Sequence, residues 1–158
     1  MTIRMRTYPG GIPAFGFAVV TVLMLVAPGL CGCNDRGLDT RTISIKGHRL
    51  TVEVARTQAE HRRGLQERDR LAAQGGMLFI FEPDSEDVAF WMDKTRIPLS
   101  VAFIGREGVI TQIEKMQPMT RDLHPSREPV SYVLEVNQGW FERHGVRVGD
   151  VVELSGLQ

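Results

Sequence analysis

The chain has 158 residues, room for one domain with a modest core. Lys plus Arg and Asp plus Glu balance at 19 each, and no basic stripe runs through the sequence, so a nucleic-acid partner is not expected. Hydrophobic residues make up 42% and charged residues 24%, an ordinary globular balance that excludes a disordered or fibrous class.

The chain opens with Arg4 and Arg6 and has no acidic residue before Asp35. Ile12 to Ala27 is almost wholly apolar, and Pro28-Gly29 ends the run. A charged head, a short greasy helix and a break are the layout of a secretory signal. The run is shorter than the roughly 20 residues of a spanning helix. Leu30-Cys31-Gly32-Cys33 follows. With Leu30 three positions before Cys33 and small Gly32 directly before it, the stretch resembles a bacterial lipoprotein signal. Cys31 does not fit, because bulky Leu30 precedes it. The expectation is a signal over 1–32, lipidation of Cys33, and a protein exported and membrane-anchored, facing the periplasm or the cell exterior. An uncleaved N-terminal anchor is the alternative. A Cys31–Cys33 disulfide is disfavoured, since residues so close rarely meet bridge geometry. Several acyl chains would be needed for firm anchoring, because one chain alone binds marginally. Removing 1–32 takes away Arg4 and Arg6, leaving a mildly acidic domain whose only cysteine is Cys33.

Residues 33–41 are polar and aperiodic and read as a tether, with a single domain over 42–158. Ile43 and Ile45 alternate with polar neighbours, as do Leu50, Val52 and Val54, around Gly47-His48, which predicts a β-hairpin. Thr57-x-x-Glu60 is a capping box opening a helix of about ten residues through Arg62, Arg63 and Leu65. Met77 to Phe81 is a continuous apolar run, hence a buried strand. An acidic loop, Pro83 to Asp87, leads to a strand over Val88 to Met92. Leu99 to Ile104 is another buried strand, with a return strand beginning Val109, Thr111, Ile113 after the turn at Gly105 to Gly108. Pro118 to Pro129 is long and irregular. Ser131 to Val136 is a strand, Asn137 to His144 a short helix, and Val151 to Leu154 the last strand. About seven or eight short strands with two short helices predict a mainly β (α+β) domain, a compact, mostly antiparallel β-barrel or folded sheet.

The middle of the chain carries the strongest signature. Gly75-Gly76-Met77-Leu78-Phe79-Ile80-Phe81 is followed by Phe90-Trp91-Met92-Asp93-Lys94-Thr95 and then Ile97-Pro98-Leu99-Ser100. With Arg63-Gly64-Leu65 upstream, and Val133 to Gly139 and Gly149-Asp150 downstream, these blocks resemble the bacterial and archaeal family called domain of unknown function 192. The family pattern reads Gly-Met-Leu-Phe, Phe-Trp-Met-Lys-Asn-Thr and Ile-Pro-Leu-Asp. The chain departs from it at Asp93-Lys94 and at Ser100, where the family has aspartate. No carboxylate can act at that last position here. The family has no assigned activity, so the resemblance implies a fold and a place to look rather than a reaction.

Four constellations could carry chemistry. Trp91 and Met92 are neighbours that point opposite ways in extended chain, so one can wall a pocket while the other fills the core. Trp91 suits the pocket, with an aromatic face and an indole N–H. The competing reading is ordinary packing of both. Thr95, Ser100, Arg63 and Asn137 are the polar candidates for the same ligand site, although Thr95 could simply bond its own backbone and Asn137 could cap the helix. Glu135 is a carboxylate on an apolar strand, costly to bury unless paired. Arg62 or Arg63 is the expected partner, and an edge salt bridge is the favoured reading. Glu135 with Asp93 is the alternative catalytic pair, for a hydrolase-like enzyme acting on envelope glycan. Met116, Met119 and His124 are an alternative Cu(I) set, thioether and imidazole being suitable ligands. No phosphate loop, nucleophile elbow or zinc-protease motif appears in the sequence. The expectation is a non-enzymatic module without a cofactor, binding a small ligand or an envelope partner.

Overall fold

The computed structural model describes residues 37–154. Cys31, Cys33 and the expected signal lie outside the described residues. Among those described, no helix is long and apolar enough to cross a membrane.

The predicted hairpin forms. β1 (Asp39–Ile45) pairs antiparallel with β2 (His48–Ala55) across a tight turn. Lys46 and Gly47, at φ 51° and 79°, supply the two left-handed residues that such a turn needs. β1 starts earlier than expected, because Asp39 to Arg41, read as tether, pair with Val52 to Val54. Their side chains are exposed, so no apolar alternation announced the strand.

α1 (Gln58–Arg63) has the capping box complete, with Thr57 accepting from the Glu60 amide and Glu60 from the Thr57 amide. It stops after six residues, where Gly64 turns and its N–H bonds the Glu60 carbonyl. The chain then returns as β3 (Gly75–Ser85), parallel to β2. β5 (Leu99–Ile104), β6 (Ile110–Met116) and β8 (Val130–Asn137) complete the main run of antiparallel pairs. The sheet order is β6-β5-β8-β3-β2-β1-β9, with β9 being Val152–Glu153. The two end strands are latched at one end, where Val109 bridges Val151 and the Val152 amide reaches the Gly108 carbonyl. Gly108 is required there, because a Cβ would lie 2.7 Å from the Val152 carbonyl oxygen. The result is a curled half-barrel with mostly antiparallel strands and two short helices, as predicted.

Both faces of the central strands are buried, which is why the 77–81, 99–104 and 130–136 stretches of β3, β5 and β8 are largely apolar, with Ser100, Ser131 and Glu135 as buried exceptions. One core gathers Ile43, Leu50, Val52, Leu78, Leu134 and Val136 with Trp140 and Phe141 of α2 (Trp140–Arg143). The other, on the opposite face, gathers Met77, Phe79, Met92, Leu99, Phe103 and Val133 under α1 and the 88–97 segment. Here the chain departs from expectation. Only Ala89–Phe90 of the predicted Val88–Met92 strand is paired (β4), against β7 (His124–Pro125), inside the segment read as irregular. Likewise α2 is shorter than predicted, because Asn137 stays in β8 and the chain turns at Gly139 before the helix begins.

Candidate functional site

Between the second core face, α1 and the β4 segment lies a cavity of about 290 Å³. Its helical wall follows a one-face spacing, Gln58, His61 and Arg62, with Arg63 and the Gly64 to Gln66 turn after the helix completing the rim. Phe79 and Phe81 of β3 point to the same side two residues apart and form the second wall. Asp87 to Trp91 close the third side, with Thr95, and Glu135 of β8 supplies the buried carboxyl.

Several bonds hold these walls in place. The connection after α1 is pinned by a two-pronged Arg68–Glu53 pair and by the Glu67 amide on the Lys94 carbonyl (2.8 Å). Asn137 Nδ2 donates to the Ala72 carbonyl (2.8 Å), and Trp140 Nε1 to Gln74 Oε1 (2.9 Å). On the other side, the Thr95 amide bonds the Met92 carbonyl (3.0 Å), and the Met119 amide bonds the Thr95 carbonyl (3.0 Å). Lys94 takes φ 56° in this turn, a conformation that asparagine tolerates better than lysine, so the family's asparagine is the residue suited to the backbone.

Glu135 decides the character of the cavity. It is 4% exposed, and no side chain among the described residues bonds or pairs with its carboxyl. No fully sealed polar side-chain atom lacks a partner among those residues, so its oxygens open onto the cavity. Burial pushes its pKa from 4.5 to about 8, so it is mostly protonated at neutral pH. This corrects the expected edge salt bridge. Arg62 and Arg63 line the cavity as well, yet both are exposed, and neither guanidinium is ion-paired among the described residues.

His61 Nε2 lies 3.2 Å from the Ala55 carbonyl oxygen. A carbonyl only accepts, so Nε2 carries the hydrogen and Nδ1 is the bare nitrogen of the neutral ring. The imidazole packs on Phe81 (centroids 4.5 Å apart) and Phe79 (5.8 Å). Phe79 meets Phe90 edge-on at 4.8 Å.

Trp91 is 48% exposed and lines the cavity, while Met92 is fully buried with Met77 and Phe103. Thr95 lines it too, with Oγ1 donating to the Asp93 carbonyl (3.4 Å). Ser100 and Asn137 do not reach the cavity. Ser100 Oγ is fully buried and accepts the Gly139 amide (3.2 Å), and Asn137 braces the 71–72 loop instead of capping α2. Asp93 is also absent from the lining, because its carboxylate is held by Arg121 Nε at 3.1 Å. The Glu135–Asp93 pair is therefore not assembled in the cavity. The copper set fares no better. Met116 is buried in the core, Met119 is exposed, and His124 Nδ1 sits 2.7 Å from Glu114 Oε2. Among the described residues, no cluster of three or more His, Cys, Asp or Glu side chains could hold a metal ion. Gln58, His61, Gln66 and Asp87 were not singled out from the sequence. The helical spacing of Gln58, His61, Arg62 and Leu65 was the available signal for the first two.

Comparison with known proteins places this geometry. The profile of domain of unknown function 192, described as "Uncharacterized ACR", matches residues 41–154. The chain belongs to this family. Two crystal structures share the domain's fold. One, from Sinorhizobium meliloti 1021 and provisionally labelled a transcription regulator, is 37% identical, with a TM-score of 0.70 over 74% of this chain and 95% of that one. The other, a protein of unknown function from Novosphingobium aromaticivorans DSM 12444, is 34% identical, with a TM-score of 0.70 over 75% of this chain and 88% of that one. A comparison with curated proteins finds no match. The family blocks Arg63-Gly64-Leu65, Phe90-Trp91 and Thr95 all border the cavity.

Proposed function

We propose that this member of the family is a small-ligand binding module, exported and held at a membrane by lipid on Cys33. The observation that carries the reading is Glu135, a buried carboxyl without a partner among the described residues, which opens onto a cavity walled by aromatic rings. A polar group at the foot of an aromatic cavity gains from a ligand that bonds it and excludes water there. At about 290 Å³ the cavity lies at the lower end of the roughly 300–1,000 Å³ usual for small-molecule sites, so the ligand is compact. The leader over 1–32 supports an extracytoplasmic location.

Mass spectrometry of small molecules released from the protein purified out of its native envelope tests the reading. A stoichiometric compound that is absent from a Trp91→Ala preparation is the expected result. Equal traces of many compounds from both preparations would sink it.

A glycan hydrolase is the second reading. A carboxyl that keeps its proton near neutral pH is what a general acid requires. Such enzymes set a second carboxyl about 5–10 Å away, and Asp93 does not supply it.

A further inference from the structure

The cavity has two poles of opposite kind. The buried pole is the Glu135 carboxyl, with no partner among the described residues. The exposed pole is the α1 rim, where the guanidiniums of Arg62 and Arg63 are unpaired among the described residues, with the one carboxylate of Asp87 on the facing segment. Aromatic walls from Phe79, Phe90 and Trp91 complete the lining. A purely apolar ligand would leave Glu135 without a bond. A simple anion would satisfy the arginines, but at Glu135 it could take no more than the one hydrogen bond of the protonated carboxyl. A simple cation would suit Glu135 and the ring faces, yet would have to pass two guanidiniums. A molecule with an ammonium at one end and an acidic group at the other answers both poles.

We infer that the cavity takes a small zwitterionic amine, an amino-acid-like molecule with a compact apolar body, its ammonium against Glu135 and its acidic group at Arg62 and Arg63. This rests on the binding-module reading above. Guanidinium forks suit a planar carboxylate, and aromatic faces suit an ammonium. Binding is also a protonation event. An incoming ammonium favours the ionised form of Glu135, so the carboxyl proton leaves to the buffer as the ion pair forms. Burial holds that proton on the empty site at pH 7, so close to one proton is released per ligand. His61, Asp87, Arg62 and Arg63 are the other titratable or charged groups on the lining, and none of them lies on the buried sheet wall.

The test is titration calorimetry of the full chain at pH 7, in two buffers of different ionisation enthalpy. The probes are leucine and phenylalanine, the amine-less 4-methylpentanoate and 3-phenylpropanoate, and the carboxylate-less 3-methylbutylamine and 2-phenylethylamine. At least one amino acid should bind with release of about one proton, and its two analogues should bind about tenfold or more weakly. Glu135→Gln should abolish proton release and weaken the amino acid about tenfold or more. Arg63→Ala, at an exposed position, should weaken the amino acid without weakening the amine. If the carboxylates bind as well as the amino acids with no proton exchanged, the cavity is a site for organic anions, and the zwitterion is overturned while the binding module stands. If no probe binds, the inference is overturned. If, in addition, the native protein yields no stoichiometric compound, the binding-module reading falls with it.

Discussion

Glu135→Gln should make the ligand-free protein more stable, and by an amount that depends on pH. The folded state holds the Glu135 proton up to a pKa of about 8, whereas the unfolded chain releases it near 4.5. Between those values the folded state binds more protons than the unfolded state. The carboxyl therefore costs nothing below about pH 4.5, and the stability of the wild-type protein falls as pH rises through the window. At about 1.4 kcal/mol per pKa unit, the loss is about 3 kcal/mol at pH 7 and approaches about 5 kcal/mol above pH 8. Glutamine cannot ionise and escapes this loss, although its amide N–H must find a partner in the cavity, a roughly constant offset of about 1 kcal/mol. Urea unfolding of both proteins from pH 4.5 to 8.5 measures the difference. The expected curve begins near the constant offset at pH 4.5, climbs in favour of Glu135→Gln through the window and levels off above about pH 8. Parallel stabilities across the range would show that Glu135 is solvated or paired, and the argument for the cavity would collapse with it.

Four further outcomes follow from the packing and from the proposed lipidation. Phe79→Ala should cost roughly 3–5 kcal/mol by chemical denaturation, since the ring is 1% exposed between the sheet and α1. Thr57→Ala should cost about 1 kcal/mol by losing the capping box, and should also weaken ligand binding, because α1 carries His61, Arg62 and Arg63. Lys94→Asn should raise stability by up to about 1 kcal/mol, read as a higher denaturation midpoint, because asparagine tolerates the left-handed backbone. Cys33→Ser should move the protein from the membrane to the soluble fraction on cell fractionation. Retention with an intact N-terminus would favour an uncleaved anchor.

Much of the scaffold was legible because its signals are local. The hairpin shows as alternation around Gly47, the helix start as Thr57-x-x-Glu60, and β5 as an apolar run with residues Leu99–Ile104 placed as predicted. Trp91 and Met92 part company as extended neighbours do, even though only Ala89–Phe90 beside them is paired. The site was half legible. Glu135 stood out as a lone carboxylate in Val133 to Val136, but its isolation could not be read, because pairing with Arg62 or Arg63 depends on how far α1 stands from the sheet. Ser100 and Asn137 were placed at the site by their position in the family blocks. Tertiary bonds to Gly139 and Ala72 use them elsewhere. The short β4–β7 ribbon was illegible, since two-residue strands have no periodicity.

The latch between the two end strands has a consequence for how copies of the protein meet. Among the described residues, hydrogen bonds join them only where Gly108 to Ile110 meets Gly149 to Val152, so beyond that point β6 has a described strand on one side alone. An unmatched strand edge is a template for another chain, and lipid on Cys33 would confine many copies to one plane. The sequence along that edge, Thr111-Gln112-Ile113-Glu114-Lys115, interleaves polar and charged residues. Gln112 and Glu114 are already spoken for, bonding Pro125, His124 and Arg127 of the long loop. Adhesion between neighbouring copies is thus opposed in two ways along one strand: by backbone bonds where β6 begins, and by charge and a folded-over loop where it continues.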